Sequence, residues 1–172
     1  AVILHNLAQL SEASGQYDVA RSLRERALAT FEKALGPDHL YVASALDGLA
    51  EILRVQGRHD AAQPFQERAL AIREKALGPD HPTVARSLNN LALLFEARGQ
   101  YDAARPLLER AIAISENALG PLHPEVAVSL KNLAKVRDMQ GHHEAAGLLY
   151  DRVLGVIEAN LRQGFGGLQG AE

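Results

Sequence analysis

The sequence contains no cysteine and no tryptophan, a single methionine and only 5% aromatic residues. Without cysteine the chain has no disulfide, no thiolate nucleophile and no Cys-ligated metal. No run approaches the roughly 18 apolar residues that a membrane span requires. The formal net charge of −3 disfavours binding to nucleic-acid phosphates. We therefore expect a globular, cytoplasmic protein with neither a nucleic-acid nor a membrane partner, although the lack of cysteine does not itself fix the compartment.

What the sequence does contain is an internal repeat with a period of 42 residues. Gly-Pro at 36–37 recurs at 78–79 and 120–121, and five further series keep the same register. One of these is the alanine series Ala20, Ala62, Ala104 and Ala146. Agreement among independent series predicts four repeats, over 1–42, 43–84, 85–126 and 127–163. The Gly-rich segment 164–172 is predicted to be a tail.

Each repeat has the pattern of two helices, A and B. In the third repeat, Pro82 suits the first position of helix A, and apolar residues follow at helical spacing. Gly99 is predicted to end helix A and Gly120 to end helix B. Pro64 and Pro106 fall inside helix B, where we expect a slight bend. The small alanines should let the two helices approach closely, while Leu4, Leu7, Leu46 and Leu49 fill the gaps between them.

Stacked helix pairs predict an all-α fold, a right-handed α-solenoid of four helix-turn-helix repeats with about eight helices. The chain opens Ala1-Val2-Ile3-Leu4, without an initiator methionine or a signal sequence. We therefore expect a segment of a longer protein, already helical at residue 1. Both ends carry apolar helices, which predicts end-to-end self-association. Phe165 and Leu168 are candidates to fold back as a cap.

The stretch Ser87-Leu88-Asn89-Asn90-Leu91-Ala92, followed by Gly99-Gln100-Tyr101 and Ala104, resembles the tetratricopeptide repeat. The period of 42 and the connector Leu-Gly-Pro-Asp-His-Pro at 77–82 are similar to the variant found in kinesin light chains. The resemblance covers residues 1 to about 161. It implies a protein-binding scaffold whose concave groove, lined by A helices, holds an extended peptide. It also implies that Asn6, Asn90 and Asn132 bond the peptide backbone, whereas Gly48 departs from this pattern.

Residues one turn apart on the A helices should point into this groove together. His5 is one of them, and the predicted peptide-binding residues are Asn6, Gln9, Asp47, Glu51, Arg86, Asn89, Asn90, Lys131, Asn132 and Lys135. Asparagine both donates and accepts, which suits a peptide backbone of any sequence, but it is also common on solvated helix faces. Arg86, Lys131 and Lys135 indicate an acidic ligand over repeats 3 and 4, unless they form only a solvated charged face.

Nothing in the sequence assembles a reaction centre. No His-Glu-x-x-His, phosphate-binding Gly-rich loop or Gly-x-Ser-x-Gly motif occurs. His39, His81 and His123 recur once per repeat, so they lie too far apart to share a zinc ion and are expected to cap helices. His59 and His143 occupy a packing position, and Glu25-Arg26, Glu67-Arg68 and Glu109-Arg110 should form surface or inter-repeat ion pairs.

We therefore predict no catalytic residue, no metal and no cofactor. The first functional hypothesis is a scaffold that binds an extended peptide segment. The alternative is a structural or self-associating arm of a larger signalling or regulatory protein with no free-peptide ligand. RNA binding by helical repeats is disfavoured by the mildly acidic charge.

Overall fold

The computed structural model describes residues 2–166, except for the side chains of residues 2, 5 and 163–166. Within that range the chain forms eight α-helices and no strand, in agreement with the predicted all-α helical-repeat class. The helices are α1 (Val2–Ala13), α2 (Tyr17–Leu35), α3 (Leu40–Val55), α4 (His59–Leu77), α5 (Pro82–Ala97), α6 (Tyr101–Leu119), α7 (Pro124–Met139) and α8 (His143–Gly166). Helices α1 to α4 form one compact unit and α5 to α8 form a second, so each unit contains two helix pairs.

The connectors between repeats fix where the A helices begin. His39, His81 and His123 precede α3, α5 and α7, and each ring Nδ1 accepts a hydrogen bond from the backbone N–H two residues later, at 3.1 to 3.2 Å. This bond satisfies one of the N–H groups that a helix start leaves without a partner. The predicted capping role of these histidines is confirmed.

Glycine ends the helices as predicted. Gly99 follows α5 with a φ of +70°, and Gly120 follows α6 with a φ of +89°. Only glycine adopts such angles without steric cost, so the chain reverses there and the next helix begins. Helices α4 and α6 continue through Pro64 and Pro106. The slight bend expected at these prolines remains a prediction.

Small residues lie between the paired helices. In the first unit Ala8 and Ala20 are completely buried, and in the second unit Ala92 and Ala104 are buried in the same way. The core of the first unit consists of Ala27, Phe31, Val42, Ala43, Ala45, Leu46, Ala69 and Ile72. The core of the second unit consists of Ala92, Ala104, Leu108, Ile112, Val126, Leu130, Leu133, Val136 and Val153. Burial of each large side chain contributes about 1.5–3 kcal/mol, so these two clusters dominate the stability of their units.

Two packing predictions are wrong. Leu7 was expected in the core, as Leu49 is, but it remains 45% exposed because no helix packs on that side of α1 among the described residues. His143 was expected in a packing position, but its side chain is 75% exposed and its Nδ1 lies 2.7 Å from Asp138 Oδ1. An exposed carboxylate one turn away offers the ring a polar partner that a core position lacks.

The expected surface and inter-repeat ion pairs form at some of the predicted residues: Glu25 pairs with Arg21 and Glu109 with Arg137, whereas Arg26 and Glu67 form no ion pair with a described residue. Arg68 on α4 pairs with Glu32 on α2 at 2.6 Å, and Arg152 on α8 pairs with Glu116 on α6. No helix within the described residues is long and apolar enough to cross a membrane. Helix α8 continues to Gly166, three residues into the predicted tail. Residues 167–172, including Leu168 of the predicted cap, lie outside the described range, as does the side chain of Phe165.

Candidate functional site

The predicted peptide-contact residues lie on α1 and α3 in the first unit and on α5 and α7 in the second. In each unit, we call the surface of these A helices that carries the predicted residues the A-helix face of that unit. Asn6 and Gln9 on α1 are exposed, and neither forms a side-chain hydrogen bond within the described residues. The side chain of His5 lies outside the described range.

The carboxylates of the first unit are already paired. Asp47 on α3 accepts a hydrogen bond from Arg73 Nη1 on α4 at 3.2 Å, and Arg73 Nη2 donates to the other carboxylate oxygen. The Arg73 side chain is only 9% exposed. Glu51 accepts two bonds of 2.7 Å from Arg54, and this hydrogen bonding raises the pKa of Arg54 above its usual value. The acidic character that Asp47 and Glu51 give this sequence is therefore neutralised locally.

A second buried cation explains why Gly48 interrupts the asparagine series. Arg24 on α2 is only 4% exposed and donates to Glu12 on α1 from Nε at 2.9 Å and from Nη2 at 3.2 Å. Its guanidinium lies directly against Gly48 on α3, where an added Cβ would stand 2.4 Å from Arg24 Nε. The space that an asparagine side chain would use is occupied, so the first unit offers no central amide on α3.

The second unit instead contains a network of amides and a hydroxyl. Asn89 on α5 is buried, and its Nδ2 donates to Ser129 Oγ on α7 at 2.7 Å and to Ala85 O at 3.1 Å. Asn132 Nδ2 donates to Asn89 Oδ1 at 3.2 Å, which ties α7 to α5. Asn89 is therefore occupied by internal bonds, one of which comes from the half-buried Asn132.

Two amide groups remain open in this unit. Asn90 is exposed and forms no side-chain hydrogen bond within the described residues. Asn132 Oδ1 accepts none there either. Asn90 thus offers both a donor and an acceptor, whereas Asn132 offers its Oδ1 as an acceptor because its Nδ2 is bonded to Asn89.

The charges on the A-helix face of the second unit are mostly positive. Arg86 on α5 and Lys131 on α7 are exposed and form no ion pair with any described residue. Lys135 lies 2.6 Å from Glu96, and the hydrogen bond to Glu96, followed by its charge, raises the pKa of Lys135. Two of the three predicted cations are therefore available to a ligand, and the third is partly neutralised.

Sequence reasoning missed Arg24, Arg73 and Ser129, which together determine what the two A-helix faces present. Arg24 occupies the B-helix position that carries Leu108 two repeats later, and Arg73 occupies the position that carries Ser115 one repeat later. An arginine within the otherwise apolar stripe of a helix was the available signal, because a buried cation requires a partner. Among the side chains that the structure describes, no group of three or more His, Asp or Glu is placed to hold a metal.

Comparison with known proteins agrees with this architecture. The family model of the tetratricopeptide repeat matches residues 1–54, 41–117 and 95–159. BtubC (BKLC) from P. vanneervenii is 27% identical and has a TM-score of 0.85, over 91% of this chain and 63% of its own length. The apo form of RapI is 16% identical with a TM-score of 0.79, over 91% of this chain and 42% of RapI. The chain thus spans less than two thirds of either protein.

A third solved structure extends the likeness to the kinesin light chain type of repeat. It is a putative kinesin light chain from Podosopora anserina with nearly identical TPR-like repeats. It is 23% identical and has a TM-score of 0.51, over 92% of this chain and 95% of that one. No curated protein sequence matches the chain. Repeats of this kind are generally non-enzymatic scaffolds for protein–protein interaction. The chain belongs to the tetratricopeptide repeat family.

Proposed function

We propose that this chain binds an extended peptide segment of another protein, and that α5 and α7 supply the principal contacts. The observation that carries the proposal is the pair of open amides, Asn90 and Asn132, beside the unpaired cations Arg86 and Lys131. An extended peptide exposes backbone N–H and C=O groups that require partners when water is displaced. Amide side chains provide such partners for any peptide sequence.

The charges favour a peptide with acidic side chains over the second unit. A ligand carboxylate near Arg86 or Lys131 would meet a cation that is not already paired within the described residues. Asp47 and Glu51 in the first unit would first have to give up bonds to Arg73 and Arg54. Recruiting them costs more, so we assign Asp47, Glu51, Asn6 and Gln9 a secondary contact role.

The proposal assigns Asn89 a positioning role, although the sequence favoured it as a direct contact. Its amide is buried and bonded to Ser129 and Asn132. We propose no catalytic role, no cofactor and no nucleic-acid or membrane partner for the chain, and we place it in the cytoplasm. The alternative, a structural arm without a free-peptide ligand, predicts that neither A-helix face binds a peptide.

A selection from a random phage-displayed peptide library against the 172-residue chain tests the proposal. We expect micromolar peptides enriched in Asp and Glu. Asn90→Ala and Asn132→Ala should each weaken them about fivefold, since one net hydrogen bond contributes about 1 kcal/mol. Lys131→Glu should weaken them further, and more strongly at low salt.

Asn117→Ala is the matched control, because Asn117 is an exposed asparagine on the B helix α6. Its binding should equal that of the unmodified chain. Peptides that bind all four variants equally would place the site elsewhere and refute the assignment. A chain that selects no peptides would support the structural alternative.

A further inference from the structure

The turn between α5 and α6 borders an open depression of about 480 Å³ that the proposed peptide contacts do not use. Its lining combines the half-buried aromatic rings of Phe95 and Tyr101 with the polar side chains of Asp102 and Gln140. Gln140 directly follows α7, so two consecutive repeats contribute to the depression. Ligand pockets in proteins have volumes of about 300–1,000 Å³, so there is room here for one side chain of a partner.

The two polar groups that are bonded to each other still offer acceptors. Gln140 Nε2 donates to Asp102 Oδ1 at 2.8 Å, and Asp102 forms no other hydrogen bond and no ion pair with a described residue. Its Oδ2 is therefore open. Gln140 Oε1 is buried and has no hydrogen-bond donor in the part of the chain that the structure describes. An acceptor buried in this way has lost its bond to water, which favours a ligand that brings N–H groups.

The charge and the rings select the class of donor. Asp102 is exposed and negatively charged, and none of the residues that line the depression is cationic. An arginine side chain has five N–H donors and no acceptor, and its planar guanidinium stacks on aromatic rings. The Phe95 ring already attracts such a group, since Arg98 Cζ lies 5.9 Å from its centroid. Arg98 itself does not line the depression.

The equivalent turn of the first unit has the same backbone sequence but not the same surroundings. Residues 15–18 repeat the order Gly-Gln-Tyr-Asp, but Ser11 takes the place of Phe95. Gln56, the equivalent of Gln140, is exposed and forms no side-chain hydrogen bond within the described residues. The first unit thus supplies a matched internal control that lacks the second ring and the bonded amide.

We propose that this depression binds an arginine side chain of a partner protein. The guanidinium would lie against the Asp102 carboxylate and Gln140, and the aliphatic stem would pack on the rings of Phe95 and Tyr101. None of these four residues is among the proposed peptide contacts on the A-helix face of the second unit. The two proposals therefore fail separately.

An NMR titration of the ¹⁵N-labelled 172-residue chain with N-acetyl-arginine N-methylamide tests the proposal. We expect saturable shifts of the backbone amides of Gly99, Gln100 and Ala103 and of the side-chain amide of Gln140, with a millimolar Kd. The amides of residues 15–18 should show no saturable shift. The citrulline analogue keeps the shape and several N–H donors but not the charge, so it should bind about fivefold more weakly or worse.

Two variants locate the site. Asp102→Asn removes the charge but keeps an oxygen for Gln140, and it should weaken binding of the arginine probe about fivefold. Phe95→Ser copies the first unit and should abolish saturable binding. Asp18→Asn is the control, because Asp18 is the exposed equivalent of Asp102, and it should leave binding unchanged. Phe95 packs against the core of the second unit, so Asp102→Asn decides the matter if the Phe95 variant does not fold.

Three results would overturn the proposal. The first is the absence of a saturable shift at residues 99–103. The second is equal affinity for the arginine and citrulline probes, which would show that charge does not select the ligand. The third is an Asp102→Asn variant that binds as tightly as the unmodified chain. Each of these results leaves peptide selection untouched, since that experiment depends on Asn90, Asn132 and Lys131.

Discussion

Replacement of Gly48 by alanine should destabilise the first unit, although alanine is the better helix former. Gly48 lies inside α3, where glycine to alanine normally gains about 0.8–1 kcal/mol. Here the new Cβ would stand 2.4, 2.5 and 2.8 Å from Nε, Cζ and Cδ of Arg24. Atoms do not approach so closely, so the buried Arg24 guanidinium has to shift, and we expect it to lose its bonds to Glu12.

The magnitude follows from what Arg24 loses. Its guanidinium is buried and donates two hydrogen bonds to the partly buried carboxylate of Glu12. Disruption of a buried pair costs about 3–5 kcal/mol, and the partial exposure of Glu12 favours the lower end. After the helix-propensity gain is subtracted, we expect a net loss of about 2 kcal/mol. For a chain of this length that corresponds to a fall in Tm of roughly 4–8 °C.

Urea unfolding of four variants separates this mechanism from a simple propensity effect. Gly48→Ala should lower the free energy of unfolding, but in an Arg24→Ala background the same change should raise it by about 1 kcal/mol. Gly147→Ala is the control, because Gly147 lies in α8 with open space around its Cβ position, so alanine should stabilise there. A stabilising Gly48→Ala in the unmodified chain would refute the reasoning.

Two further predictions concern the second unit. Asn89→Ala should lower the free energy of unfolding in urea by about 1–3 kcal/mol, because it leaves the buried Ser129 hydroxyl and the Asn132 amide without their partner. Asn90→Ala should change this free energy by less than about 0.5 kcal/mol. Equal effects would contradict the assignment of Asn89 as internal. Glu96→Gln should return the raised pKa of Lys135 to the usual lysine range in an NMR titration. The ion pair between Lys135 and Glu96 contributes at most about 1 kcal/mol to stability. This contribution is present below the usual lysine pKa and is lost as the pH rises through the raised pKa of Lys135. An unchanged pKa of Lys135 in the Glu96→Gln variant would show that Glu96 does not cause the shift.

The helices were predictable from the sequence because their signals are local and repeated. Histidine before each later A helix and glycine after each of α1 to α7 act through the backbone of a few neighbouring residues, so spacing alone located these helix ends. The exposure of Leu7 was not predictable from the same pattern. Its equivalents are apolar and buried, and the difference lies in which helix packs beside α1.

The candidate site was less predictable because its chemistry depends on residues from other helices. Asn89 and Asn90 are adjacent in sequence, and both were expected to face a ligand. The structure buries Asn89 because Ser129, 40 residues later, accepts its hydrogen bond. Likewise, the sequence predicts Asp47 as an open acidic contact, but in the structure Arg73 on the next helix lies beside it and donates to its carboxylate. Neither partner can be identified from the residues around Asn89 or Asp47 alone.

These contacts indicate that the side chains presented by an A helix depend on the B helix before it as well as on the A helix itself. Before α3, the B helix carries Arg24, whose guanidinium covers Gly48 and removes the central amide. Before α7, the equivalent residue is Leu108, an apolar side chain that packs in the core of the second unit. Asn132 therefore keeps its place beside Asn89 with an oxygen still available. In the first unit, the residue at this B-helix position therefore leaves no room for a central amide on the A helix that follows.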